Sequence, residues 1–356
     1  MGERRIRIGV VGIGFGQQVH VPAFRMNKEC EVVALCATTY ERARSVAGRL
    51  GVPGAYGDWH ELIADPRVDA VAVATPPPMQ PPIVLAALAA RKPVFCEKPI
   101  AATRGQATEM LQAARRSGLA NMVDFEFVAL DEWNQAKEVI DQGLLGSLRH
   151  AAVTWHVETY AIRKKLKSWK TGSAESGGGV LNSAVSHVFH YIEWLLGPIH
   201  KLTARLSAPR EHDGPAGETV AMLCLEMASG VSVTISVSNG AFQGTGHRVE
   251  VYGEEGSLVL ENNTSEYVTV FQLRHGTRES KRPICVGGSG PAPNVPDDRI
   301  IPVGRLVDRF INWITTGVSA EPSFEHGCRV QYLLDCARQA HASEKWIGVA
   351  KSEAYG

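Results

Sequence analysis

The chain has 356 residues and a formal net charge of zero, with 44% hydrophobic and 21% charged residues. This length predicts two domains, and the composition is typical of a globular protein. A neutral chain offers no field that favours nucleic acid or an anionic membrane, and no apolar run reaches the roughly 18 residues that span a bilayer. Its seven cysteines are scattered without a C-x-x-C pair, which indicates free thiols in the cytoplasm.

The first 125 residues alternate short apolar strands with helices. Strands are predicted over 6–11, 31–36, 68–75, 93–97 and 120–127, and the first helix runs to about residue 27 with an interruption at Pro22. Strands and helices that alternate at this spacing form βαβ units around a parallel sheet. The pattern therefore predicts an α/β, doubly wound Rossmann domain over residues 1–125.

From Leu148 onward the strands become longer and alternate apolar with polar residues. An antiparallel sheet with one solvated face produces this alternation. We predict an α+β domain over 126–356 with an open, mostly antiparallel sheet, in which the C-terminal helices from about 304 can pack back on the first domain. Its predicted strands are 149–158, 199–207, 219–226, 231–238, 247–252 and 267–273, its helices 133–143, 188–196, 304–316 and 325–345, and its long loop 287–298.

A glycine loop joins the first strand to the first helix, and its sequence is Gly12-Ile13-Gly14-Phe15-Gly16. The first glycine permits a tight turn, the second lets the backbone approach a pyrophosphate, and the helix N-terminus attracts the negative charge. The third glycine or alanine of the usual pattern falls on Gln17, one place after Gly16. Because βαβ units follow, we interpret the loop as a dinucleotide site, although an ordinary turn is the alternative.

The residues at the end of the second strand indicate whether the cofactor is NAD or NADP. It runs into Ala37-Thr38-Thr39 with Arg42 beyond, and no carboxylate is present to accept a ribose hydroxyl. Hydroxyl side chains and an arginine suit a 2′-phosphate instead. The pattern favours NADP, with NAD as the other possibility, and Arg42 on a solvated helix face is the alternative interpretation.

Four motifs occur in the order typical of one enzyme family. They are Gly12 to Gly16, Ala74-Thr75-Pro76-Pro77, Cys96-Glu97-Lys98-Pro99, and Gly177-Gly178-Gly179 followed by Ser186-His187. The chain thus resembles the Gfo/Idh/MocA oxidoreductases over nearly its whole length. The resemblance implies cofactor contacts from Ala74, Thr75, Pro76, Glu97 and Lys98, hydride transfer on a sugar, cyclitol or similar substrate, and a homodimer or homotetramer formed through the C-terminal sheet.

The resemblance also assigns two catalytic residues. Lys98 follows a parallel strand, where open α/β sheets bind ligands, and its ammonium can stabilise an alkoxide. His187 can exchange a proton with that oxygen near neutral pH. The family's aspartate four residues before the histidine is Ser183 here, its glycine two before is Val185, and its acidic residue three after is His190. The usual lysine–aspartate–histidine set is therefore incomplete.

Residues of the second domain and its entry segment are the substrate candidates. They mix rings with polar groups, as sugar-like ligands require, and they are Glu126, Trp169, Lys170, Asn182, Ser183, His187 and His190. A basic run at 163–167 is interpreted as solvated, with attraction of a phosphorylated substrate as the alternative. His187 and His190 lack further ligands for a metal, so none is expected. Two other functions stay open: a glycosidase that uses transient oxidation, and a non-catalytic dinucleotide-binding protein.

Overall fold

The structure is a computed structural model that describes residues 4–166, 171–172, 177–208, 217–264, 268, 270–280, 283–288 and 295–350. It consists of two compact units. The first comprises Met1–Glu126 with Val295–Gln331, and the second comprises Phe127–Asn294 with Tyr332–Gly356.

The first unit is built on a six-stranded sheet whose strands are all parallel. The strands are β1 (Ile6–Val11), β2 (Cys30–Cys36), β3 (Gly54–Tyr56), β4 (Ala70–Val73), β5 (Val94–Cys96) and β6 (Asn121–Val123). They lie in the order β3-β2-β1-β4-β5-β6, which reverses between β1 and β4. In such sheets ligands bind at the carboxyl ends of the strands beside this reversal. The predicted doubly wound Rossmann fold is confirmed.

The helices of the first unit cover a sheet that is apolar on both faces. They are α1 (Val21–Met26), α2 (Tyr40–Leu50), α3 (Trp59–Ala64), α4 (Gln80–Ala89), α5 (Arg104–Ser117) and α9 (Ile300–Thr316). Consecutive residues of β4 and β5, such as Val71 with Ala72 and Val94 with Phe95, are all fully buried. A parallel sheet that is covered on both sides requires this continuous burial.

The first unit differs from the prediction in three short segments. The elements β3 and α3 were not predicted, because three and six residues carry too little periodicity. Pro22 does not interrupt the first helix: a π-helical turn, Gly16–His20, leads into α1, and Pro22 lies in the first turn of α1, where prolines are tolerated. The strand predicted over 120–127 is only Asn121–Val123, since a 3₁₀ turn begins at Glu126.

The second unit is built on a nine-stranded sheet. Its strands are β7 (Leu148–His156), β8 (Ile199–Ser207), β9 (Val220–Met227), β10 (Ser232–Ser238), β11 (Gly246–Gly253), β12 (Gly256–Asn262), β13 (Gln272–Thr277), β14 (Ile284–Gly288) and β15 (Ile347–Gly348). They lie in the order β14-β13-β12-β11-β7-β10-β9-β8-β15. Neighbours are antiparallel except β10 and β7, which are parallel. The prediction of a mostly antiparallel sheet is confirmed.

One face of this sheet is covered and the other is open. In β9, Ala221, Leu223 and Leu225 are buried, while Met222 and Cys224 between them are exposed. The remaining helices are α6 (Asp131–Asp141), α7 (Tyr160–Arg163), α8 (Ser186–Leu196) and α10 (Phe324–Ser343). The strand predicted over 267–273 is found at Gln272–Thr277, and the predicted loop at 287–298 begins inside β14. Among the residues described, no helix combines the length and the apolar character needed to cross a membrane.

Candidate active site

The glycine loop lies at the reversal of strand order in the first unit. Gly12 has a φ of +101°, and a Cβ atom there would lie 2.3 Å from the carbonyl oxygen of Ala74. Only glycine fits that position. A Cβ on Gly16 would lie 3.0 Å from Val10 Cγ1, so Gly16 lets the helical turn pack closely against β1. Gly16 therefore takes the packing role of the third glycine, although it stands one place earlier than expected.

The space beside the loop fits a dinucleotide. A Cβ built on Gly14 would meet nothing within 4 Å, so the backbone there is open to a ligand. Thr75 has a buried hydroxyl with no hydrogen-bond partner within the described part of the chain. Beside it, Ala74 N–H donates to Val11, and Pro76 precedes a 3₁₀ turn that begins at Pro77. An open glycine backbone next to an unused hydroxyl is what a bound phosphate and ribose require.

Two arginines, Arg42 and Arg299, lie where a negatively charged ligand would bind at the carboxyl ends of the strands. After β2, Thr39 caps α2 by accepting from Arg42 N–H, and the Arg42 guanidinium donates to Thr38 Oγ1 at 3.0 Å. At the loop itself, the guanidinium of Arg299 lies 4.8 Å from the centre of the Phe15 ring and is paired with Asp297 at 2.6 Å. Sequence reasoning missed Arg299, since 284 positions separate it from Phe15 along the chain.

Lys98 follows β5 at the same edge of the sheet. Its neighbour Glu97 donates its backbone N–H to Val73, and Asp124 after β6 donates to Cys96. The ends of β4, β5 and β6 are thereby aligned, as parallel pairing requires. Burial is the largest influence on the pKa of both Glu97 and Glu126, and it opposes their ionisation. The charge of Lys98 acts in the other direction and lowers the pKa of each.

Glu126 is a buried carboxyl group near Lys98. Burial first, and then the charge of Asp124, raises its pKa to about 8. A carboxyl that is largely protonated near neutral pH can donate as well as accept a hydrogen bond, and it can exchange a proton. Glu126 therefore suits contact with a hydroxylated substrate better than an ordinary carboxylate would.

Two ionisable residues beside Glu97, His20 and Asp124, were not predicted from the sequence. His20 is fully buried in the π-helical turn, and its Nε2 atom lies 2.9 Å from Glu97 Oε1 and 3.4 Å from Asp124 Oδ2. The signal was present, because each stands inside an apolar run, between Val19 and Val21 and between Val123 and Phe125. An ionisable residue in a run of that kind is buried with its partner.

In the second unit His187 is the second residue of α8, and it is 1% exposed. Its ring lies edge-on to Phe127, with 5.2 Å between ring centres, and 6.3 Å from Trp155. The rings of Trp155 and His247 stack at 4.3 Å, and burial lowers the pKa of His247 to about 3. His187 is therefore oriented by a core of uncharged rings.

In the glycine run before His187, Gly179 lies against a carboxyl group of the chain itself. Gly179 has a φ of +87°, and a Cβ there would lie 2.4 Å from Glu218 Oε1. The same oxygen accepts from Leu181 N–H at 3.0 Å, and burial raises the pKa of Glu218. Sequence reasoning missed Glu218, since nothing local marks a residue that approaches from another segment.

The other substrate candidates lie around this helical turn. Asn182 is buried and both its polar atoms are engaged: Nδ2 donates to Gly178 O at 3.1 Å, and Oδ1 accepts from Arg338 at 2.6 Å. Ser183 is partly exposed, and His190 is 6% exposed in α8. The remaining candidates, Trp169 and Lys170, lie outside the described residues.

Comparison with known proteins identifies the family. Residues 6–125 match the model described as the oxidoreductase family with an NAD-binding Rossmann fold, and residues 133–259 match the GFO/IDH/MocA C-terminal domain. An oxidoreductase of Synechocystis is 33% identical, over 97% of this chain and 96% of its own. Together the matches to the two family models span more than half of the chain.

The chain belongs to the Gfo/Idh/MocA oxidoreductase family.

Two further relatives are similar to this Gfo/Idh/MocA oxidoreductase. Myo-inositol 2-dehydrogenase of Thermotoga maritima is 28% identical, over 78% of this chain and 81% of its own. The structure of levoglucosan dehydrogenase in complex with NADH and levoglucosan superposes with a TM-score of 0.86 at 24% identity, and it covers 98% of this chain and 100% of the other. At 24% identity, the similarity to levoglucosan dehydrogenase shows only that the two chains share a fold. The predicted family, fold and enzyme class are thus confirmed.

Proposed function

We propose that this oxidoreductase interconverts a secondary alcohol and a ketone on a sugar, a cyclitol or a similar small polyhydroxylated substrate. The position of Lys98 carries the proposal: it follows β5 at the edge where the glycine loop opens. The names of the relatives support the substrate class, because one is a myo-inositol 2-dehydrogenase and another is a levoglucosan dehydrogenase in complex with levoglucosan.

In the proposed reaction each residue has one task. A bound nicotinamide would accept the hydride, with its electron pair, from the carbinol carbon. Lys98 donates a hydrogen bond to the oxygen and stabilises the negative charge that develops there. His187 takes the hydroxyl proton as the carbonyl bond forms, and it returns that proton in the reverse direction.

The substrate contacts in this proposal are Glu126, Asn182, Ser183 and His190, together with Trp169 and Lys170. Glu126 is the best supported, because a carboxyl with a pKa of about 8 can donate a hydrogen bond to a substrate hydroxyl. The engaged side chain of Asn182 favours an indirect part in shaping the turn before His187.

For the cofactor we propose NADP in preference to NAD. Thr38 and Arg42 are hydrogen-bonded to one another at the end of β2, where they offer a hydroxyl and a guanidinium to a 2′-phosphate. No carboxylate stands at 37–40 to repel it. The family model is described as NAD-binding, so the proposed preference for NADP rests on these side chains alone.

We also propose a homodimer or homotetramer in the cytoplasm. The open face of the nine-stranded sheet exposes Met222 and Cys224 beside polar neighbours, which suits a self-complementary interface. All seven cysteines are free thiols, as a reducing compartment maintains them. Analytical ultracentrifugation tests the assembly, and a monomer at micromolar concentration would contradict it.

The experiment that tests the function begins with the purified protein. Mass spectrometry identifies any nucleotide that co-purifies, and polyols, cyclitols and aldoses are then screened with NAD and NADP for net formation of reduced nicotinamide. We expect turnover with a polyol or cyclitol. Turnover of glycosides without net reduction would indicate transient oxidation, and failure to bind either dinucleotide would contradict the proposal.

A further inference from the structure

Three ionisable side chains meet inside the first unit behind Lys98. His20 comes from the turn after the glycine loop, Glu97 follows β5, and Asp124 follows β6. The side chains are 0%, 15% and 2% exposed, respectively, and one nitrogen, His20 Nε2, faces both carboxylates. Two neighbouring strands therefore end in acids that share one histidine.

The charges within this cluster support one another. Burial disfavours a charged imidazole, but the hydrogen bonds to Asp124 and Glu97 and the charges of these two acids together outweigh that effect and raise the pKa of His20 to about 9. Burial and the charge of Glu97 raise the pKa of Asp124 to about 7. Burial also opposes ionisation of Glu97, but the hydrogen bonds to His20 and Asp124 and the charges of His20 and Lys98 together lower its pKa. At neutral pH the cluster thus contains an imidazolium that is paired with the Glu97 carboxylate.

Hydrogen bonding explains this cluster better than a metal ion does. The three donor atoms lie within 4.8 Å of one another, a spacing that a metal could use. A histidine nitrogen must lose its proton to bind a metal, however, and both acids favour the protonated ring. A distance of 2.9 Å between His20 Nε2 and Glu97 Oε1 is that of a charge-assisted hydrogen bond.

The backbone that carries Lys98 is held on both sides. On one side the His20 ring binds Glu97 and packs edge-on against Phe15 and Phe95, at 5.4 and 5.3 Å between ring centres. On the other side Gln80, which is fully buried, donates from Nε2 to the carbonyl oxygen of Pro99 at 2.6 Å. His20 therefore touches both the glycine loop, at Phe15, and the turn that presents Lys98.

We propose that His20 is a positioning residue, which holds Glu97 and so fixes Lys98 relative to the glycine loop. The inference rests on the proposed role of Lys98 in the reaction. Since an error of about 1 Å in the placement of a reacting group costs up to about 100-fold in rate, loss of the His20–Glu97 pair is expected to lower kcat.

The test compares His20→Gln with His60→Gln in the active holoenzyme. His60 is an exposed histidine of the same unit, 2.7 Å from Asp58, so its variant controls for loss of a histidine–carboxylate pair. For His20→Gln we expect kcat to fall about 10-fold to 100-fold, with KM and the Kd of the dinucleotide within about threefold of wild type. His60→Gln should match wild type in all three constants.

A labelling measurement tests the inference without turnover. The rate at which acetic anhydride acetylates Lys98 is followed by peptide mass spectrometry, with Lys137, which is paired with Asp141, as the internal reference. His20→Gln leaves the Glu97 carboxylate, whose charge interacts with that of Lys98, without its cationic partner, and this should slow the acetylation of Lys98 by at least about threefold. If this variant does not fold, nitrogen NMR of the wild type replaces it, and we expect a His20 ring that stays protonated to about pH 9.

These results separate the two claims. Full turnover in His20→Gln beside an inactive Lys98→Ala would overturn the inference and leave the proposed function standing. Full turnover in Lys98→Ala would overturn the proposed role of Lys98 in the reaction. In that case the inference is judged by labelling alone, and an acetylation rate of Lys98 that is the same in His20→Gln as in wild type would overturn it. A neutral His20 ring at pH 7, or a chelator that reproduces the His20→Gln defect in wild type, would overturn it too.

Discussion

Two glycine-rich segments of this oxidoreductase precede helical turns, yet they accommodate different partners. In the loop from Gly12 to Gly16, Gly12 lies against the backbone at Ala74 while Gly14 faces open space. In the second segment Gly179 lies against the carboxylate of Glu218, which also accepts from Leu181 N–H. A helix N-terminus attracts an anion in both cases. The first segment leaves room for a ligand, whereas the second is occupied by a carboxyl group of the protein itself.

The largest effect on stability is expected for Gly12→Ala, which tests the first segment. The new Cβ would lie 2.3 Å from Ala74 O and the φ of +101° is strained for alanine. We expect dinucleotide affinity to fall more than about 100-fold and the free energy of unfolding to fall by about 3 kcal/mol. Fluorescence titration and urea unfolding measure the two quantities.

Gly14→Ala is the matched variant within the same loop. Because nothing lies within 4 Å of its Cβ position, we expect the free energy of unfolding to stay within about 1 kcal/mol of wild type while dinucleotide affinity falls. Equal loss of stability in the two variants would mean that the loop is an ordinary turn.

Gly179→Ala tests the second segment. The Cβ would displace the Glu218 carboxylate, so we expect the free energy of unfolding to fall by about 2 kcal/mol more than in Gly197→Ala. Gly197 has the same φ of +87° but no atom within 4 Å of its Cβ position, so it isolates backbone strain from the clash. Equal losses would show that Glu218 does not hold this segment.

The sequence predicted the first segment better than the second for a physical reason. Each role in the loop from Gly12 to Gly16 depends on backbone within a βαβ unit, which periodicity and glycine spacing reveal. Glu218, His20 and Asp124 act through contacts with distant segments, and no local pattern encodes those. The parallel pairing of β10 with β7 was missed likewise, because alternation predicts a half-buried strand but not its neighbour.

The loss of stability at rising pH should come mainly from three groups of the first unit. The pKa values of His20, Asp124 and Glu126 are raised in the folded state, to about 9, 7 and 8. A group whose pKa is raised by folding stabilises the folded state. This contribution is fully present below the pKa that the group has in the unfolded chain, and it is lost as the pH rises through the pKa that it has in the folded chain. We therefore expect the free energy of unfolding to fall from about pH 5 to about pH 9.

Asp124→Asn should flatten that decline, since an amide resembles the protonated acid and does not ionise. Urea unfolding at several pH values measures it, and we expect the loss of stability between about pH 5 and pH 8 to shrink by at least about 1 kcal/mol. An unchanged slope would show that Asp124 does not titrate in this range.

A smaller effect is expected at the end of β2. Ala37→Asp places a carboxylate where the 2′-phosphate of NADP is proposed to bind, so the preference for NADP over NAD should fall by about tenfold. Ala37→Asn has nearly the same shape without the charge and should change the ratio much less. If NADP preference survives in Ala37→Asp, the proposed contacts of Thr38 and Arg42 are wrong.

The most direct test of the account compares wild type with Lys98→Ala in two assays on the same preparations. Lys98 is proposed to act on the reacting oxygen, while the phosphate contacts are proposed to lie at the glycine loop. We predict that turnover of the best polyol falls at least about 1,000-fold while the Kd of the dinucleotide stays within about tenfold. Turnover that survives in Lys98→Ala would contradict the central claim.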